Sequence, residues 1–72
     1  MPTGILAEAK FSTWDGGIVA GTVYEVAQVV PKENSYDFYF FDDNIVPICI
    51  TYYLDPKDAI YNNDMFQIYF QF

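Results

Sequence analysis

The sequence predicts a small all-β domain, on three observations. Aromatic and β-branched residues dominate the chain, no segment sustains a helical period of apolar positions, and clusters of turn-forming residues recur between the apolar runs. At 72 residues the chain is one domain, near the lower limit for folding without staples. Its single cysteine, Cys49, cannot close an internal disulfide, so stability rests on apolar burial or on oligomerisation.

The elements follow in order. Residues 5–11 form a first strand, and Ser12 through Gly17 a loop whose paired glycines supply backbone freedom. Residues 18–30 read as one long strand, bulged or bent at Gly21, because strands of this length seldom stay straight in small domains. Pro31, Lys32, Glu33 and Asn34 end it. Residues 36–41 make the next strand, and Asp42-Asp43-Asn44 turns the chain tightly into a strand over 45–54. Pro47, which cannot donate to a ladder, marks an edge or a bulge there. Asp55 as N-cap and Pro56 as first helical residue predict one short helical turn near 55–62, closed by Asn62-Asn63-Asp64. Residues 65–72 alternate, with Phe66, Ile68, Phe70 and Phe72 on one face and Gln67, Tyr69 and Gln71 on the other.

This order of elements resembles that of SH3-like small barrels. A Gly-x-x-Tyr-x-Val pattern (Gly21, Tyr24, Val26), a Tyr-x-Phe strand (Tyr36, Phe38) and an acidic hairpin (Asp42, Asp43) resemble those of small bacterial and phage proteins of that architecture. The resemblance implies an SH3-like barrel or a strongly bent five-stranded antiparallel sheet. The Ala-Leu-Tyr-Asp-Tyr cluster of peptide-binding SH3 domains is missing, so no proline-rich ligand is implied.

Composition narrows the chemistry. Ten acidic residues face three basic ones, all lysine, with no histidine, for a net charge of −7. The usual neutral-pH general acid/base is therefore lacking, as is the bidentate clamp for phosphate or carboxylate. Cys49, within Val46-Pro47-Ile48-Cys49-Ile50, has no basic neighbour in sequence and reads as a filler. Asp42 and Asp43 fall on opposite faces of a strand and do not form a glycosidase pair. The oxygen-rich runs at 42–44 and 62–64 do not match a calcium loop and read as turns. The expectation is a non-enzymatic protein with no cofactor and no metal.

Charge also decides what the aromatics contact. Such a field repels nucleic acid and anionic membrane and attracts a basic protein. Tyr36, Phe38 and Phe40 point inward with Ile48, Ile50 and Tyr52, leaving Asp37, Tyr39, Phe41, Cys49, Thr51 and Tyr53 outside, with Tyr24, Tyr61 and Tyr69 as candidates to border them. Aromatic platforms on small barrels stack nucleobases only where a basic groove carries the backbone, and three lysines cannot build one. Protein contact or a homodimer is the better account of this face. Trp14 is either a lid over the open end of the barrel, the favoured reading, or a contact anchor. The dispersed acids serve either solubility or mimicry of a phosphate backbone.

The expected partner-binding residues are Trp14, Asp15, Asp37, Tyr39, Phe41, Asp42, Asp43, Tyr53, Asp55, Asp58, Tyr61 and Asp64. The expected function is an inhibitor or regulator of a basic, nucleic-acid-handling protein, a profile similar in type to phage-encoded antagonists. A homo-oligomeric assembly protein and a small-ligand binder with an aromatic platform are the alternatives. The N-terminus has no basic region, and the longest apolar run is 38–41, so neither a signal peptide nor a membrane span is expected. With one cysteine, the chain reads as a complete cytoplasmic protein of its own cell or of a host.

Overall fold

Alternating apolar residues sort into six strands in a computed structural model that describes residues 3–71. They are β1 (Ile5–Ala9), β2 (Val23–Glu25), β3 (Gln28–Pro31), β4 (Ser35–Phe41), β5 (Pro47–Tyr53) and β6 (Phe66–Phe70), with a 3-10 turn over Ala59–Asn63 between the last two. The protein is all-β. The strands form two three-stranded antiparallel sheets, ordered β2-β1-β6 and β3-β4-β5. Among the described residues the sheets do not close into a barrel, because β5 and β6 face one another without pairing.

The segment expected as one long strand is two short strands in different sheets. Gly21, at φ 88°, sits in the turn closed by the Thr22 amide on the Val19 carbonyl (3.0 Å), so the chain reverses before β2 starts. The second break is at Val26–Ala27. Val26 donates its amide to Ile5 O at 2.9 Å in one sheet, and Ala27 donates to Tyr39 O at 2.8 Å in the other. The count is therefore six strands rather than five.

The core lies between the sheets. Ala7 and Ala9 on β1 are 0% and 3% exposed, and their small side chains leave room for Phe38, Phe40 and Phe66. Phe40 meets Phe66 edge-on with ring centres 5.4 Å apart and stacks on Tyr24 at 5.4 Å. Ile48, Ile50 and Tyr52 pack against this core from β5, on the side the alternation assigned to them. Phe70 is only partly enclosed, at 45% exposure, although its ring meets Tyr52 edge-on; Phe72 lies outside the described residues.

The helical turn starts later than its sequence signals. Asp55 Oδ1 accepts the Lys57 amide at 2.9 Å and Asp55 O accepts the Asp58 amide at 3.0 Å, so Asp55 and Pro56 build a β-turn rather than a helix cap. Asp58 becomes the N-cap of the 3-10 turn and makes no side-chain cap bond. Asn62, read from sequence as a terminator, instead ties this turn to the sheet. Its Oδ1 accepts the Tyr53 amide at 2.7 Å and its Nδ2 donates to the Tyr53 carbonyl at 2.8 Å.

In the β4–β5 hairpin, the Ile45 amide bonds Asp42 O at 3.0 Å and Asp42 N bonds Val46 O at 3.1 Å, which leaves Ile45 at φ 61°. A left-handed conformation costs a side chain with a Cβ about 1–2 kcal/mol, and Ile45, 75% exposed, recovers little by burial. Ile45→Gly should raise stability by about 0.5–1 kcal/mol after the greater freedom of unfolded glycine is subtracted, read as a higher urea midpoint with unchanged slope. Phe38→Ala should cost about 3–5 kcal/mol. For so small a domain that removes the cooperative thermal transition seen by circular dichroism.

Candidate functional site

The loop between β1 and β2 and the β4–β5 hairpin meet at one end of the molecule. Gly16 N bonds Thr13 O at 3.2 Å, closing a turn whose central residues are Trp14 and Asp15. Thr13 Oγ1 donates to Asp15 Oδ1 at 2.7 Å and accepts the Ile18 amide at 3.0 Å, while Asp15 Oδ1 also accepts the Gly17 amide at 2.9 Å. Ile18, 5% exposed, anchors the loop in the core.

The hairpin docks on this loop through Gly17, whose carbonyl accepts the Asp43 amide at 2.9 Å. A methyl group at Gly17 would stand 2.6 Å from Asp42 Oδ2, 3.1 Å from Asn44 Nδ2 and 3.2 Å from Asp15 Oδ1, so a side chain there would push the Asp42 carboxylate aside. The Tyr24 hydroxyl locks the joint. It donates toward Asp43 Oδ2 (3.2 Å) and Gly17 O (3.3 Å) and accepts the Val19 amide (3.3 Å). Tyr24 is 6% exposed, so it belongs to the core and does not border an outer face.

Trp14 is 99% exposed. It covers nothing, which overturns the lid reading. The hydrogen bonds that fix its turn hold the indole in solvent beside Asp15, with Asp42 and Asp43 across the Gly17 joint. Among the described residues the one ion pair joins Lys32 Nζ to Asp37 at 3.9 Å, so none of these three carboxylates is paired with a lysine. The hairpin adds the exposed side chains of Ile45 and Val46.

The remaining expected contact residues form two further groups. Asp37, Tyr39 and Phe41 lie on the outer face of β4, opposite Thr51, Cys49 and Pro47 of β5. Asp37 is engaged there, accepting from Thr51 Oγ1 at 3.2 Å besides its ion pair. Phe41 is 54% exposed. The Tyr39 hydroxyl is held above the ordinary phenol range, first by its contact with the Cys49 thiol across the strands. Tyr53, Asp55, Asp58, Tyr61 and Asp64 gather around the 3-10 turn, where the Tyr53 and Tyr61 rings meet edge-on at 6.2 Å. Sequence alternation missed Ile45, Ile60 and Met65, which are exposed in turns that carry no strand period.

Among the described residues no cluster of His, Cys, Asp or Glu is arranged to hold a metal ion, and no helix is long and apolar enough to cross a membrane. Comparison with known protein families, curated proteins and solved structures finds no match to this chain.

Asp15 titrates below the ordinary value of 3.8, chiefly through the Thr13 hydroxyl and then the Gly17 amide. A lowered carboxylate pKa stabilises the fold above the unfolded value, and that contribution is lost as pH falls through the folded pKa. The loop should therefore loosen below about pH 4. In a carbon-detected NMR titration Asp15 should protonate at lower pH than free aspartate, and Thr13→Val should return it toward 3.8.

Proposed function

We propose that this protein is a non-enzymatic binding module that docks on a basic, nucleic-acid-handling protein and blocks it, by steric cover or by presenting carboxylates where phosphates would sit. One observation carries the reading: Trp14, 99% exposed, stands on a hydrogen-bonded turn beside carboxylates that no lysine neutralises. An exposed indole on a fixed loop contributes large contact area at small entropic cost, and such anchors dominate binding energies. The carboxylates of Asp15, Asp42 and Asp43 supply long-range attraction toward a cationic surface, within a net charge of −7. The absence of histidine and arginine from the sequence supports a role without catalysis.

The SH3-like resemblance rests on the order of elements in the sequence, and the two sheets do not close into a barrel among the described residues. The reading places the protein in the cytoplasm, of its own cell or of a host.

A homo-oligomeric assembly protein is the second reading, favoured by the exposed Phe41 and Cys49 on the outer face of the β4–β5 pair. Sedimentation separates the two, since a large closed oligomer supports assembly.

Affinity capture from lysate at low salt tests the first reading. A partner with a basic surface should elute as salt rises from about 50 to 200 mM, where exposed charges are progressively screened. Trp14→Ala should weaken binding by at least about 2 kcal/mol, roughly thirtyfold, read by calorimetry with the captured protein. Equal affinity at low and high ionic strength would remove the electrostatic part of the proposal.

A further inference from the structure

The outward edge of β5 is open along a short, bounded stretch. Asp42 N bonds Val46 O and Leu54 N bonds Asn34 O, so the even-numbered residues of β5 form the hydrogen-bonded pairs with β4. The odd-numbered residues turn their N–H and C=O groups away from the sheet. Pro47 has no N–H there, and both backbone groups of Tyr53 are taken by the Asn62 amide. Between them, the backbone groups of Cys49 and Thr51 have no hydrogen-bond partner among the described residues.

Across the gap, Lys10 N bonds Met65 O, which by the same parity turns the backbone of Phe66 and Ile68 toward β5. A cleft of about 400 Å³ separates the two edges, lined on its inner side by Ile50, Tyr52, Phe66 and Ile68.

We infer that this seam receives an extended segment of the basic partner, added to β5 as a further antiparallel or parallel strand. The Asn62 amide already plays the part of a neighbouring peptide group at Tyr53, and a strand continuing from it meets Thr51 and Cys49 as the next rungs. Strand addition of this kind draws affinity from main-chain bonds and specificity from alternate side chains. Here one set of alternate side chains enters an apolar cleft and calls for residues such as valine or leucine. The other set faces solvent beside Asp64, which lines the cleft at the Tyr53 end. Lysine or arginine complements that side. A second copy of this chain brings −7 against −7 and is the poorer occupant. The basic character of the segment rests on the proposed function; the strand geometry does not.

The test uses the full chain and a blocked ten-residue peptide alternating valine and lysine. The peptide should slow hydrogen exchange of the Cys49 and Thr51 amides at least tenfold. Thr51→Pro should lower its affinity at least tenfold, because the nitrogen lost faces outward, as that of Pro47 already does. If that variant fails to fold, a peptide N-methylated at alternate amides tests the same bonds from the other side and should not bind. Absence of binding, unchanged exchange at these two amides, or equal binding after either change overturns the inference. A chain that sediments alone as a dimer, dispersed by Thr51→Pro, overturns it in favour of a second copy. Failure here leaves the salt-eluted capture on the Trp14 surface intact, whereas failure of that capture leaves the exchange result standing.

Discussion

One step of backbone couples the two halves of this fold. Val26 and Ala27 are adjacent in the chain, yet the first bonds to β1 and the second to β4. The sheets are therefore tied at the crossing by one bond to each, and moving them apart there breaks one of the two. Val26, 0% exposed, fills the angle between them. The stacking that follows sets the space for Phe38 and Phe40 and explains why β1 carries alanine where it faces them. Two residues before the crossing, Tyr24 extends from the same short strand to the Gly17–Asp43 joint, so the position of the Trp14 turn depends on the crossing as well.

The molecule separates rigidity from exposure in an unusual place. Among the described residues, the most exposed large side chain stands on a turn held by side-chain bonds from Thr13 and Asp15, not on a loose tip. In the proposed docking, a turn fixed in advance lowers the entropy lost, which is where much of a small interface's energy is otherwise spent. The hairpin opposite carries a further strained and exposed apolar residue in Ile45. Strain of this kind accumulates at contact sites more readily than in passive loops.

The all-β class, the hairpin at Asp42–Asn44 and the inward set of β5 were legible because they follow from strand alternation and turn chemistry, both local. The edge position of Pro47 was legible for the same reason. The division of residues 18–30 was not, since it depends on which sheet offers a carbonyl to Val26 and to Ala27, a long-range matter. Asp55 and Pro56 satisfied the local rules for a helix start equally well as a β-turn, and the competing bonds to Lys57 and Asp58 decided it. Of the site, the sequence offered only a set of candidate contact residues, and their separation into a loop end, an outer face and the 3-10 turn required the fold. Asn62 gave no signal, because a terminator and an edge cap have the same residue preference.

The ends of the β5 stretch have a consequence for solubility. An open edge invites unlimited stacking of copies into cross-β fibres, which need long, regular, low-charge pairing surfaces. Here a proline stops the ladder at one end and a side-chain amide stops it at the other, with Pro31 on the opposite edge strand of the same sheet. The two rungs left open are too few to template a fibril. The β5 edge thus stays open over a stretch too short to propagate.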